Sequence, residues 1–388
     1  MRIKERNQSI SVVVLCFFIG SCSSLGVLKF WGDEEEVELP AELQPIKQQI
    51  TITKKWDKKL GEQDYSGRIL PIIDDENVFY ISSAGNLFSL DKSKGVTIWS
   101  RKTGDKVSGA LGVGFKRLFY GTMDGHVVSV DQENGQEIWR KRTSSEVLSP
   151  PVTNGSVVVA QSSDGMITGF DFKSGNTRWS HQSSVPRLSL RGTSIPFFEQ
   201  GFIFAGFANG KIAMIYPDSG AVRWEIPIGM NEGKSELERI KDIDGKSILL
   251  GELLFSASYQ GNIAAIDIRS GRPIWQEKFS TTRDLVEARS RVVAIDQKDL
   301  IKAFGSSTGV SVWQQEGLKL RNVSSPSVIK SNIVIGDFEG YLHFLSSKDG
   351  TFLARKKISS KSIKEIESEG NQLLVLDESG RLFSLLIQ

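Results

Sequence analysis

The sequence predicts an all-β fold, an eight-bladed β-propeller of four-stranded blades, with the ring closed by an N-terminal strand that completes the last blade. Three observations predict it. A glycine and a tryptophan recur fourteen positions apart, at Gly85 and Trp99, Gly125 and Trp139, Gly165 and Trp179, Gly210 and Trp224, and Gly261 and Trp275, with a second glycine always four residues before the tryptophan. The units are filled by β-branched and aromatic runs punctuated by turn dipeptides. The chain also stops at Gln388, shortly after an eighth unit begins at Gly380, while Thr51-Ile-Thr-Lys-Lys-Trp56 supplies the missing tryptophan strand far upstream.

The unit around residues 118–140 shows why the repeat is made of strands. Leu118-Phe-Tyr-Gly-Thr meets an Asp124-Gly125 turn and then the alternating run His126-Val-Val-Ser-Val, the pattern of a hairpin. Asn134-Gly135 makes the next turn, and residues 136–140 form an outer strand whose tryptophan can pack between units. A weaker strand precedes each hairpin, at 147–153 for the following unit, which brings the count to four strands per blade. Two later copies are degenerate: Asp299 stands for the first glycine of one, and Ala354 stands for the tryptophan of the next. An array of sheets has unpaired edges unless its ends meet, so strand 51–56 is expected to complete the last blade. A solenoid would instead need polar caps at both ends.

Ahead of the repeats, Met1-Arg-Ile-Lys-Glu-Arg6 is a basic start followed by the apolar run 10–19. That run is shorter than the ~20 residues that span a bilayer and fits a secretory h-region. It ends in Ile19-Gly-Ser-Cys22, which resembles a bacterial lipobox and makes Cys22 the lipidation site, with residues 1–21 as signal peptide. Ordinary cleavage beside an incidental cysteine is the alternative. Ser23 at the next position points, by analogy with bacterial lipoproteins, to the outer membrane. Residues 22–50, with Asp33-Glu-Glu-Glu36, Phe30-Trp31 and Pro40, carry no repeat and read as an acidic tether, leaving 51–388 as the propeller. Cys16 and Cys22 are the only cysteines, so the exported body has no disulfide framework and no thiolate to offer a metal.

Charge excludes a nucleic-acid partner. The chain has 48 Lys and Arg and 46 Asp and Glu, and cleavage before Cys22 removes Arg2, Lys4, Arg6 and Glu5, leaving a balanced body. Catalysis finds no support either. His126, His181 and His343 fall in different repeat contexts and form no metal-binding spacing. The aspartates Asp91, Asp131, Asp171 and Asp267 recur at one position before a turn, where a carboxylate caps local N–H groups. The Asp-to-Trp pattern resembles the quinone-dependent dehydrogenases, an enzyme alternative, but the vicinal cysteine pair many of them use is missing, and no carboxylate cluster for Ca²⁺ can be assembled. No catalytic, metal or cofactor-binding residue is therefore assigned.

The spacing shows where the design is interrupted. From each tryptophan to the next unit's first position the intervals are 26, 26, 31, 37, 24 and 27 residues, so the third and fourth are long. Insertions in adjacent repeats place loops side by side on one face, often the binding face. The insertions are 185–196, containing Leu188, Leu190 and Arg191, and 229–250, containing Asp242 and Asp244. Two leucines beside a guanidinium are the composition of an interface centre. The opposing reading takes Leu188 and Leu190 as alternating inner-strand core residues and Arg191 as the partner of an aspartate near the channel.

With lipobox, acidic tether, repeats and the two insertions in hand, the whole chain resembles the BamB family of outer-membrane protein assembly lipoproteins. The more specific marks are Leu188-Ser-Leu-Arg-Gly192 and the run Glu236-Leu-Glu-Arg-Ile-Lys-Asp-Ile-Asp244. The resemblance implies a non-catalytic scaffold of the β-barrel assembly machinery, lipid-anchored at the periplasmic face of the outer membrane. It implies docking on the periplasmic POTRA domains of BamA through Leu188, Leu190, Arg191, Asp242 and Asp244, and assistance to unfolded outer-membrane clients, whether by orienting the POTRA domains or by holding clients on exposed blade edges. A generic envelope scaffold with another partner is the third class of reading.

Overall fold

The computed structural model describes residues 38–61, 69–228, 235, 237 and 240–388, and the repeats belong to a compact unit running from Leu39 to Gln388. Residues 1–21, Cys22, Phe30-Trp31 and the acidic run 33–36 lie outside the described residues. Among the described residues thirty-two strands form eight four-stranded antiparallel sheets. Seven are sequential blades, within 72–102, 107–142, 152–182, 197–227, 248–278, 286–315 and 327–357, numbered 1 to 7 here. Blade 8 combines three C-terminal strands within 363–387 with the N-terminal strand Ile52–Lys59, which pairs with Arg381–Ile387 as its outermost member. The closure expected from the truncated eighth unit is therefore present, with Ile52 opposite Ile387 and Gln388 N donating to Thr51 O at 3.0 Å.

The first strands of neighbouring blades approach one another, including those of blades 1 and 8, so they line the middle of the ring. The second and third strands carry the buried apolar runs, such as Val157–Gln161 and Leu118 to Val130. The outer strands carry the tryptophans. In each of blades 1 to 7 the third and outer strands slip by one residue just before the tryptophan position, as where Ser129 faces Trp139 but Val130 faces Glu137. Such a bulge bends the strand and re-aims the side chain beside it. The residue skipped is left outside the ladder, which puts Ile98, Ile138, Ile274 and Val312 on the surface.

The re-aimed indole crosses to the following blade. Trp139 Nε1 donates to Phe172 O at 3.1 Å, and the corresponding nitrogens of Trp56, Trp179, Trp224, Trp275 and Trp313 donate to Lys92, Pro217, Ile268, Ser306 and Ser347 carbonyls. The ring face then lies on the second repeat glycine of that next blade. A β-carbon at Gly175, where φ is +68°, would stand 2.6 Å from Trp139 Cδ2, so the glycine is required twice, by its backbone and by the close approach. Trp56 makes the same contact on Gly95 and thereby joins blade 8 to blade 1.

Both degenerate repeats have physical reasons. The junction from blade 7 to blade 8 has no covalent turn for a tryptophan to cover, because the outer strand of blade 8 comes from the other end of the chain. Residues 39–50 run there instead. Ile50 packs against the cluster that buries Ala354, Gln49 N donates to Leu353 O at 2.7 Å, and Arg355 N donates to Gln48 Oε1 at 3.1 Å. The last part of the stretch expected as tether, residues 39–50, is thus seated on the propeller. Further along it, Arg321 Nη1 donates to Ala41 O at 3.0 Å and Arg355 Nη1 to Gln44 O at 2.8 Å. Asp299, in place of glycine, keeps the left-handed backbone at φ 66° and puts its buried carboxylate to use, accepting from Asn322 N at 2.6 Å and from Arg283 Nη2 at 2.5 Å.

One expected strand is shorter than its sequence suggested. The run 147–153 is strand only at Val152–Thr153, because Pro150 and Pro151 have no N–H for the ladder. The repeat aspartates cap their turns as expected: Asp91 Oδ1 accepts from Ser93 N and Lys94 N, and Asp171 Oδ1 from Lys173 N and Ser174 N.

Two substitutions check this account. Gly175→Ala will lower stability more than Gly104→Ala, whose new β-carbon meets nothing within 4 Å at φ +81°. The second change incurs only the backbone term of about 1–2 kcal/mol, whereas the first adds overpacking of about 1–3 kcal/mol, a difference measurable by urea unfolding. Ala354→Trp, which restores the repeat consensus, will destabilise the protein because residues 48–50 already occupy that space. Thermal melting reads the loss.

Candidate functional site

Strand direction alternates within a blade, so the turns between second and third strands share one face of the ring with the crossovers that lead from each outer strand to the next blade. Hydrogen bonds join them, as where Thr103 N donates to Gly85 O at 2.9 Å. Both long insertions are crossovers on this face. Residues 183–196 lead from blade 3 to blade 4, and 228–247 from blade 4 to blade 5.

Leu188, Leu190 and Arg191 lie in the first crossover, outside any strand. The inner strand of blade 4 is Phe197–Glu199, so the reading of the two leucines as alternating inner-strand core residues does not hold. Leu188 is 43% exposed, Leu190 is half-buried and Arg191 is exposed. The Arg191 guanidinium pairs through Nη2 with Glu146 Oε2 at 2.9 Å. Glu146 belongs to the crossover from blade 2 to blade 3, whose spacing is regular, so the interval pattern had no means of flagging it.

The second insertion supports the first from below. Ile243 is fully buried in the core between blades 4 and 5, and its N donates to Phe207 O at 3.3 Å. That anchor sets the carboxylates on either side. Asp242, only 1% exposed, accepts from Leu190 N through Oδ2 at 3.2 Å. Asp244 lies against Gly192, where an added β-carbon would come within 2.5 Å of its Oδ1. The connection continues inward, since Ser194 Oγ donates to Gly245 O at 3.3 Å and Tyr259 N to Asp242 O at 2.8 Å. All five residues singled out in the sequence are therefore brought together, in two layers. Leu188 and Arg191 face outward, and Asp242 and Asp244 sit behind them.

Burial, and after it the neighbouring Asp244 charge, push the Asp242 carboxyl up to about 8. The raised value fits an acid with its back to the core. Elsewhere the histidines are local partners: His126 Nδ1 lies 3.2 Å from Asp124, His181 Nε2 3.4 Å from Glu225, and buried His343 sits between Asp337 and Arg355. Among the described residues no group of three or more His, Cys, Asp and Glu stands where it could hold a metal ion.

The fold and this site define a β-propeller whose one face carries two long crossovers braced against each other. Residues 83–315 match the family described as outer membrane protein assembly factor BamB. A curated BamB from Pseudomonas aeruginosa is 42% identical over 352 residues, covering 90% of this chain and 93% of that one. The chain belongs to the BamB family of outer membrane protein assembly factors. Among solved structures, BamB from Moraxella catarrhalis superposes with a TM-score of 0.79 at 25% identity, over 87% of this chain and all of that one. A quinohemoprotein alcohol dehydrogenase from Comamonas testosteroni shares the fold alone, with a TM-score of 0.67 at 11% identity over 86% of this chain and 76% of that one.

Because Asp242 is held protonated in the folded chain to a higher pH than in the unfolded chain, its contribution favours folding at low pH. That contribution is lost as pH rises from the ordinary carboxylate range toward about 8. Asp242→Asn keeps an oxygen for Leu190 N and removes the charge. Its melting temperature will gain on that of the parent as pH is raised from 5 to 9. Parallel curves would contradict the assignment.

Proposed function

We propose that this chain is a non-catalytic scaffold subunit of the outer-membrane β-barrel assembly machinery. In this reading it is held at the periplasmic face of the outer membrane through a lipid on Cys22. The crossovers carrying Leu188, Leu190 and Arg191 dock on the periplasmic POTRA domains of BamA and so assist folding and insertion of unfolded outer-membrane proteins. Family membership supports the assembly role. The docking reading is carried by one observation: an exposed leucine and an exposed arginine stand on a loop whose backbone is held from behind by a buried carboxylate.

The bracing matters energetically. A loop already ordered before binding does not have to give up conformational freedom at the moment of contact. An exposed arginine whose Glu146 partner is also solvent-accessible can exchange that surface pair, itself worth about 0–1 kcal/mol, for a carboxylate on the partner at small loss. Leu188 then supplies the apolar contact beside it. Asp242 acts as a positioning residue, since its buried carboxylate reaches Leu190 and not solvent.

The test is a detergent pull-down of BamA by the full chain. Leu190→Ala/Arg191→Ala and Arg191→Glu will lose BamA while melting like the parent. Asp242→Asn, which keeps the acceptor for Leu190 N, will retain BamA, whereas Asp242→Ala will weaken retention. If the first two variants hold BamA as the parent does, the docking face lies on other loops.

A further inference from the structure

The same face carries a second feature that the five residues do not use. Between blades 5 and 6 lies an open groove of about 810 Å³. Its cations come from separate elements: Lys241 from the crossover that also carries Asp242, Lys278 from the end of outer strand Arg272–Lys278, Lys298 from a turn, and Lys302 from strand Ile301–Gly305. Among the described residues Asp296 is the one acidic residue in the lining, and its Oδ1 is engaged by Lys298 N at 2.8 Å and Leu300 N at 2.9 Å. The groove is thus locally basic on a chain whose overall charge is nearly balanced.

Lys278 is exposed, and Lys302 is half-buried with its ammonium 5.6 Å from the Phe304 ring centre. Neither is ion-paired among the described residues. Around them Gln260, Asn262, Gln276 and Gln297 line the groove with carboxamides. Each carboxamide offers both a donor and an acceptor. Asn262 Nδ2 donates to Gln276 Oε1 at 3.4 Å. The mixed donors and acceptors of the lining match a polypeptide, which presents N–H and C=O groups together with its carboxylates, better than a phosphate headgroup, which presents acceptors.

We infer that this groove binds an acidic, extended polypeptide segment of the same partner that engages the loop at 188–191. Continuity of the surface ties the two, because Lys241 lines the groove, Asp242 braces the loop, and Tyr259, in the groove wall, donates its N–H to Asp242 O. The inference rests on the docking reading for the identity of the partner, and on the groove alone for the chemistry. The lysines act mainly through attraction at a solvated surface, so their contribution is one that salt screens.

The experiment measures the affinity of the full chain, in detergent, for the soluble periplasmic domains of BamA at low and moderate ionic strength. It compares the parent, Lys278→Glu/Lys302→Glu, and Leu190→Ala/Arg191→Ala. The expected result for the lysine variant is unchanged melting, a loss of about tenfold or more at low salt, and a flatter salt dependence. Acetylation of the parent followed by mass spectrometry will show Lys278 and Lys302 protected by those domains and, at higher concentration, by an oligo-glutamate peptide. If the lysine variant binds with parental affinity and salt dependence while the Leu190/Arg191 variant loses binding, the groove inference is overturned and the docking reading stands. If both variants bind like the parent, both readings fall. Protection of the two lysines by inorganic phosphate or anionic phospholipid vesicles, but not by the acidic peptide, would make the groove a headgroup site and would overturn the inference as well.

Discussion

Everything in this propeller depends on an indole laid across a blade boundary onto a glycine. The contact is at once apolar, because the ring is largely removed from water, and directional, because the indole N–H reaches a backbone carbonyl of the next blade. Truncating a buried tryptophan of this kind typically costs about 3–5 kcal/mol. The glycine is inseparable from it, since the ring occupies the space where any β-carbon would stand. A bulge between the third and outer strands aims the ring wherever the tryptophan is present. The ring then closes because Trp56, from the opposite end of the chain, performs the same act on blade 1.

The single junction without a tryptophan shows what the contact is for. At Ala354 the following blade has no covalent turn, and the chain segment 39–50 fills the place instead, held by Arg321 and Arg355 and by its own backbone. Arg355 Nε donates to His343 Nδ1, and His343 in turn lies against the buried Asp337 carboxylate, which also receives Arg321 Nε. Buried ionic groups of this sort need every lone pair matched, and here the matching includes carbonyls of the incoming segment. An apparent decay of the repeat is therefore a change of partner.

Regularity elsewhere leaves one sector free to differ. All eight junctions need the tryptophan geometry or its substitute at Ala354, whereas a crossover has only to reach the next inner strand. The two long crossovers use that freedom, and their extra residues fold back on each other: Ile243 goes into the core, Asp242 turns to Leu190, and Leu188 and Arg191 are left outward. The proposed docking surface is thus a by-product of loops that the scaffold tolerates. The quinohemoprotein alcohol dehydrogenase shares that frame, and a shared frame does not carry a shared site.

By itself the sequence determined the strand type, the number of blades, the closing strand and the sector where insertions fall, because all of these follow from local turn chemistry and from spacing along the chain. Leu188, Leu190, Arg191, Asp242 and Asp244 were also legible as residue types in two long intervals. Their division into an outward pair and a buried brace was not. Whether a carboxylate faces water or a backbone N–H depends on which chain segment lies across from it, and Leu190 is far from Asp242 in sequence. Glu146, the seating of 39–50 and the lysines between blades 5 and 6 were hidden for the same reason. Each arises from crossovers or strands of different blades brought side by side by the curvature of the ring, a distance that only tertiary structure sets.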